Sequence, residues 1–504
     1  MNTLSATAKP RQKRERKRIF IAIKALILLA PLPFGCVGEP WRPLFFALVA
    51  GIAYFAWKQV ENEEPKANLL PGRTDPARDL LYGRSLPAKD RKRGAMAWAA
   101  RLWRGFFFFC LFQLLPLPAA FVKLISPRTI EVVSRFRGVT PGWLTLSLVP
   151  RETLVFALEF MVLAVFSLAL VRMRPGRREM TSLVRALAWS AALQVIIGLV
   201  RMLTGSRMFF LLFKPYERTG AELTGTLVNS NHFAFFLEMV APLLLALVAV
   251  EFAGRGRHLF HNLMGTLENR PRVMADLFVL VLMATGVVLS NSRAGITALG
   301  VGLLTAGLMM VRTRKTGLQG ILPVLVVGLV LAVLAVAGNQ TWRHFQRLEQ
   351  KSPEQIGRMN RWASVVQLNR DFPLLGTGMG TFRWAYFLHD QEANQWVTHA
   401  HNDVLETATD GGAVGALLFL GGCVFFFIAI VGRWRRRTRV SVRLLAAGGV
   451  ASMAAAFFHS LFDFSLRIPT NALVLVLVMA LTWSTVNYRK ESKQPRSLRD
   501  GGSW

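Results

Sequence analysis

The chain has 504 residues, 53% of them hydrophobic, and carries a formal net charge of +32. Apolar runs of about twenty residues recur along it, each long enough to cross a hydrocarbon core of ~30 Å, which argues against a soluble globule. The runs are apolar on every face instead of alternating, so helices and not a barrel pair their backbone amides in lipid. The charge does not point to nucleic acid, because much of it falls into short clusters between the runs, at 11–18, 73–104, 172–178, 255–272, 312–315, 433–443 and 489–499.

These features predict an all-α, polytopic transmembrane bundle of about 12 helices, with spans near 19–36, 43–59, 105–124, 152–171, 182–203, 233–252, 274–291, 295–311, 320–337, 412–432, 442–461 and 470–487. Basic clusters recur after every second span, so the positive-inside rule puts both termini in the cytoplasm. The expected organisation is a basic N-terminus at 1–18, a membrane domain at 19–487 and a C-terminal tail at 488–504. The N-terminus imitates a signal peptide ending at Phe34-Gly35-Cys36, but the bulky Phe34 is wrong for cleavage and loss of the first span would invert the charge register. Cys36, Cys110 and Cys423 lie in or beside spans and far apart, giving no disulfide framework.

Three segments are expected outside the bilayer: a cytoplasmic linker at 61–101, an outer loop at 125–151 and a large, partly helical periplasmic loop at 338–411 before the tenth span. Loops as long as the last are usually functional.

In chain order, the first polar constellation is Arg218-Thr219-Gly220, then Gly225-Thr226-Leu227-Val228-Asn229-Ser230-Asn231-His232-Phe233, entering the sixth span from outside. Amides here can bind sugar hydroxyls or cap the helix, and for Asn231 both readings stand. The second is Ser290-Asn291-Ser292-Arg293-Ala294-Gly295, where one span turns at once into the next. An arginine near hydrocarbon is costly and by default functional, with snorkelling to the interface as the alternative.

Within the large loop, 356–368 reads as an amphipathic helix with Met359, Trp362, Val366 and also Val365 on one face. Arg358 and Arg361, on another face, are candidates to bind substrate, and Asp371-Phe372-Pro373 stops the helix. The glycine-rich Leu375-Gly376-Thr377-Gly378-Met379-Gly380 suits either a phosphate cradle or a turn between helices.

The densest constellation is His399-Ala400-His401-Asn402-Asp403-Val404-Leu405-Glu406, directly before the tenth span. Histidine can move protons at neutral pH, which makes His401 a candidate base, with His399 and Asn402 beside it. Zinc binding and a solvated helix cap are the alternatives, although no third His or Cys sits at a recognisable metal spacing. The last is His459-Ser460-Leu461-Phe462-Asp463-Phe464-Ser465-Leu466-Arg467, where spacing suggests a His459–Asp463 or Asp463–Arg467 pair.

Together these residues resemble the O-antigen ligase and polysaccharide polymerase superfamily of bacterial inner-membrane glycosyltransferases, over a stretch from Gln113-Leu114-Leu115-Pro116-Leu117-Pro118 to Pro469. The ligases' pattern of His, a polar residue, nine residues and Gly-x-x-Gly is satisfied by His401, Asn402, Gly412 and Gly415. Ser292-Arg293-Ala294-Gly295, Pro373-Leu374-Leu375-Gly376-Thr377-Gly378 and the stretch from Asp463 to Pro469 add to it. The chain departs from many relatives at Ser230, where they carry Arg or Pro.

The resemblance implies an undecaprenyl-diphosphate-linked glycan donor, a hydroxyl acceptor such as lipid A-core or another glycan, and no metal or other cofactor. It puts His401 next to the acceptor as general base and Arg293 and Arg218 near the donor diphosphate, where guanidinium matches phosphate oxygens. Asn231, Asn402, His399, Asp463, Arg358 and Arg361 are then expected to bind substrate. Ligase and polymerase share the donor and differ in acceptor, and the ligase-framed His401 pattern favours ligase. A lipid-linked sugar flippase or exporter is the competing class, but transporters often show two related halves and none are visible here.

Overall fold

Helices dominate because each apolar run pairs its own backbone and Pro or Gly clusters punctuate the runs. The computed structural model describes residues 3–67, 94–204, 222–227, 229–253, 270–313, 353–389 and 397–488, with the side chains of 3–11, 63–67 and 353–360 set aside. In chain order the first helices are α1 (Thr3–Leu29), α2 (Trp41–Ala67) and α3 (Ala95–Phe112). A two-residue strand β1 (Leu117–Pro118) leads to α4 (Ala119–Ile125) and α5 (Pro127–Arg137), and pairs antiparallel with β2 (Trp143–Leu144). Then come α6 (Pro150–Arg172), α7 (Arg177–Thr204), α8 (Ser230–Phe252), α9 (Pro271–Leu289), α10 (Arg293–Val311), α11 (Pro353–Asp371), α12 (Asp403–Arg435), α13 (Val440–His459) and α14 (Pro469–Asn487).

Ten helices among the described residues are long and apolar enough to cross a membrane: α2, α3, α6 to α10 and α12 to α14. The chain is an all-α, multi-pass membrane protein. The expected ninth span, 320–337, lies outside the described residues.

The bundle is arranged around α8, whose apolar window is wholly buried and which packs on α7, α9, α10, α13 and α14. A helix apolar on all faces fits only such a central place. In lipid, close approach of backbones replaces the hydrophobic drive, so small residues mark the contacts. A Cβ on Gly448 of α13 would lie 2.5 Å from the Ala246 Cβ of α8.

Three boundaries differ from expectation. The third span runs Ala95–Phe112 and not 105–124, so the end of the expected linker is helical. The apolar run continues past Phe112, but Pro116 and Pro118 end the helix and send the chain into β1 and α4. The first helix ends at Leu29, where Pro31 and Pro33 follow, short of the expected 36. The tenth span begins not at 412 but at Asp403, and breaks at Gly412, which holds φ 60° and ψ −166°. A Cβ there would sit 2.3 Å from the backbone of Leu374, so glycine is required twice over.

The expected loop helix is present as α11, but its buried face carries Val365 and Leu368, whereas Val366 is exposed. With the half-buried Trp362 these inward positions recur every three residues, which turns Val366 outward.

Candidate functional site

The short helix ahead of Gly412 presents the polar constellation. Asn402 caps α12, its Oδ1 accepting from the Val404 and Leu405 amides at 3.0 Å each. Its Nδ2 donates to the Leu461 carbonyl at 2.8 Å, so the side chain is fully engaged in positioning. The Asp403 amide donates to the carbonyls of Ser460 (2.9 Å) and Asp463 (3.1 Å), stitching this corner to the turn after α13. His401 sits between these anchors at φ 51°, a conformation a non-glycine residue keeps only when its surroundings impose it.

That conformation points His401 at Asp463, Nδ1 to Oδ1, at 3.0 Å. Asp463 is wholly buried while the His401 side chain is 22% exposed. Burial alone would raise the Asp463 carboxyl, but the His401 hydrogen bond and the neighbouring imidazoles of His232 and His459 outweigh it and hold it well below the usual carboxylate range. An ionised carboxylate only accepts, so Nδ1 carries the proton, and in the neutral imidazole Nε2 then holds the lone pair. A ring nitrogen oriented by a carboxylate on its far side is the arrangement general-base chemistry needs.

The other carboxylate oxygen, Oδ2, accepts from the Ser465 hydroxyl at 3.0 Å. His232, from the first turn of α8, brings its Nε2 to 3.4 Å from Oδ2, at ion-pair distance but not aligned as a hydrogen bond. Phe464 stands amid three imidazoles, stacked on His399 at 4.1 Å and edge-on to His232 at 4.7 Å and His401 at 4.9 Å.

Neither expected pair around Asp463 forms. α13 ends at His459, so the i,i+4 spacing no longer sets the two side chains on one helical face. His459 turns instead into the bundle, its Nδ1 2.9 Å from Glu238 Oε2. Arg467 reaches Asp410 at 3.0 Å and Glu406 at 3.3 Å. Burial would lower the Arg467 pKa, but Glu406, Asp410 and Asp403 together raise it, so the guanidinium stays charged. Glu406 also takes His399 Nδ1 and the Ala400 amide, both at 3.0 Å, and so fixes the backbone that carries His401.

The glycine-rich segment is a turn docked on α12. The amides of Thr377, Gly378 and Gly380 go to the Thr409 carbonyl (3.0 Å), the Asp410 carbonyl (2.9 Å) and Asp410 Oδ2 (3.0 Å). The Met379 amide goes to Gln113 Oε1 at 3.0 Å. These donors face protein, which overturns the phosphate-cradle alternative.

The arginine turn lies at the same end of the bundle. Ser292 caps α10, accepting from the Gly295 amide at 3.1 Å and donating to Asn231 Oδ1 at 2.7 Å. Asn229, and not Asn231, caps α8. Arg293 is exposed and has no ion-pair partner among the described residues. Trp362 of α11 donates to the Ala400 carbonyl at 3.0 Å, placing half-buried Arg361 on the helix beside the constellation. The Arg358 side chain and Arg218 lie outside the described residues.

His399 and His401 spend their Nδ1 atoms on different carboxylates, Glu406 and Asp463. Sequence reasoning missed His232, whose only signal was its place next to Asn231, and did not foresee that Asp463 serves His401.

Residues 278–420 match the family model described as O-Antigen ligase, a stretch well under half of the chain that runs from α9 into α12. The match includes Arg293 and His401, while His232 and Asp463 lie outside it. It supports the O-antigen ligase and polymerase superfamily and a glycosyltransferase-like activity of that type. No curated protein matches the chain.

Proposed function

We propose that this protein is an O-antigen ligase-like glycosyltransferase. It moves a glycan from undecaprenyl diphosphate to a hydroxyl of lipid A-core or a similar acceptor, at the periplasmic face of the bacterial inner membrane, with both termini cytoplasmic. The observation that carries this reading is the pairing of a partly exposed His401 with a wholly buried Asp463 at 3.0 Å. In this reading His401 Nε2 takes the acceptor hydroxyl proton as the oxygen attacks the anomeric carbon. The bond from that carbon to the diphosphate oxygen breaks, and Arg293, with Arg218, neutralises the leaving group's charge.

No metal or other cofactor takes part in these steps. Arg358, Arg361 and His399 are proposed to contact the glycan or the acceptor. Asn402 and Asn231, whose side chains are engaged with protein, are proposed to hold the base and the arginine turn.

The test is glycan transfer in membranes of a strain lacking the protein, complemented with wild type, His401→Ala or Arg293→Ala. Expressed variants that accumulate donor and make no product sustain the reading; full product from both overturns it. An accumulated donor already carrying polymeric glycan marks a ligase, whereas accumulated single repeat units mark a polymerase.

A further inference from the structure

Two side chains of one helical turn reach the two halves of the proposed site. Asn231 Oδ1 accepts from Ser292, the neighbour of Arg293, at 2.7 Å. The next residue, His232, places Nε2 3.4 Å from Asp463 Oδ2, on the carboxylate oxygen that His401 does not use. The path Arg293, Ser292, Asn231, His232, Asp463, His401 is thus contiguous through bonded neighbours and side-chain contacts. His232 is buried, and its Nε2 has no aligned hydrogen-bond partner among the described residues, a costly state for a polar atom.

Packing alone does not account for this nitrogen. α8 is already tied to α13 one layer deeper by Glu238 and His459, and the aromatic edge of His232 against Phe464 needs no N–H. His232 Nε2 holds ion-pair distance to Asp463 Oδ2 beside the Ser465 hydroxyl, so its polarity bears on the carboxylate oxygen opposite the one His401 uses, and through that carboxylate on the aim of His401.

We infer that His232 is a positioning residue for the His401 base, and that the Asn231-His232 turn keeps that base in register with the arginine turn that meets the donor. The inference rests on the base reading above. It predicts that removing the polar ring nitrogen of His232 slows turnover without weakening donor binding.

The experiment uses full-length protein in lipid nanodiscs, with undecaprenyl-diphosphate-linked glycan as donor and core-bearing lipid A as acceptor. His232→Phe keeps the ring edge and loses the polar nitrogen; His232→Gln returns a polar nitrogen near the Nε2 position. Expected are a kcat loss between ~10- and ~100-fold for His232→Phe, the size of effect that small misplacements produce, with donor KM within about threefold and unchanged thermal unfolding. His232→Gln should recover most of the rate. In a His401→Ala background His232→Phe should cost nothing further, because residues acting as one unit are not additive.

Wild-type turnover in His232→Phe, no recovery in His232→Gln, or a loss that persists without His401 each overturns the inference. Failure of the base reading has a separate signature: His401→Ala alone keeps full turnover, and the route through Asp463 falls with it.

Discussion

Two histidine–carboxylate pairs lie close together at one end of this bundle, and their geometry is nearly the same. His459 meets Glu238 at 2.9 Å and His401 meets Asp463 at 3.0 Å. In the first pair both side chains are fully buried, between α13 and α8; in the second the acid is buried and the histidine is 22% exposed. A pair closed off from any substrate can only hold helices together or store charge, and a charge in the membrane interior has to be partnered to persist. A pair with one open nitrogen can exchange a proton with something outside. The difference lies in access, not in residue type or distance.

The largest expected effect that breaks the symmetry is on rate. His401→Ala should lower turnover by ~10²- to 10⁴-fold, on the order of 3 to 5 kcal/mol of barrier, with thermal unfolding unchanged. Asp463→Asn keeps the shape but loses the charge that fixes the Nδ1–H tautomer, and should fall in the same range when initial rates of glycan transfer are compared.

The mirror experiment acts on stability. Glu238→Ala leaves His459 unpaired in the interior and should cost ~3 to 5 kcal/mol, read as lost yield and a lower unfolding temperature in detergent. The double change Glu238→Met with His459→Leu should recover most of that stability, and specific activity per folded molecule should stay near wild type. If instead the double variant is stable and inactive, the buried pair belongs to the chemistry and the comparison fails.

A smaller stability effect sits between the two regions. Gly412→Ala forces a side chain into a positive-φ conformation and against the Leu374 backbone, and should destabilise by at least ~1 to 3 kcal/mol, measured by thermal unfolding. It should also displace Asn402 and His401, because the short helix they begin is aimed by that break.

The smallest effect is the acid dependence of stability. Asp463 has its pKa depressed on folding, so its contribution is fully present above the unfolded carboxylate range near ~4 and fades only as pH falls below it. Between about pH 5 and 8 Asp463 should add no slope to unfolding temperature, and Asp463→Asn should remove the part of the acid-side slope that this group contributes.

The amino-acid order by itself determined the rough place of most spans and the amphipathic α11, and it singled out His401, Asn402 and Arg293. These are local properties: hydropathy over twenty residues, a helical period, a dense run of polar groups next to an apolar one. The third span shows the limit, since the apolar run continued past Phe112 and only the proline-imposed exit to β1 ended the helix.

Tertiary structure alone decided the partners. Asp463 is 62 positions from His401, and Glu238 is 221 from His459, separations over which no periodicity operates. The i,i+4 spacing of His459 and Asp463 suggested a pair, but α13 ends between them and the turn sends one into the bundle and the other to His401. Which histidine is closed off and which stays open was settled by that turn and by the break at Gly412, because access to a side chain is set by the elements packed around it.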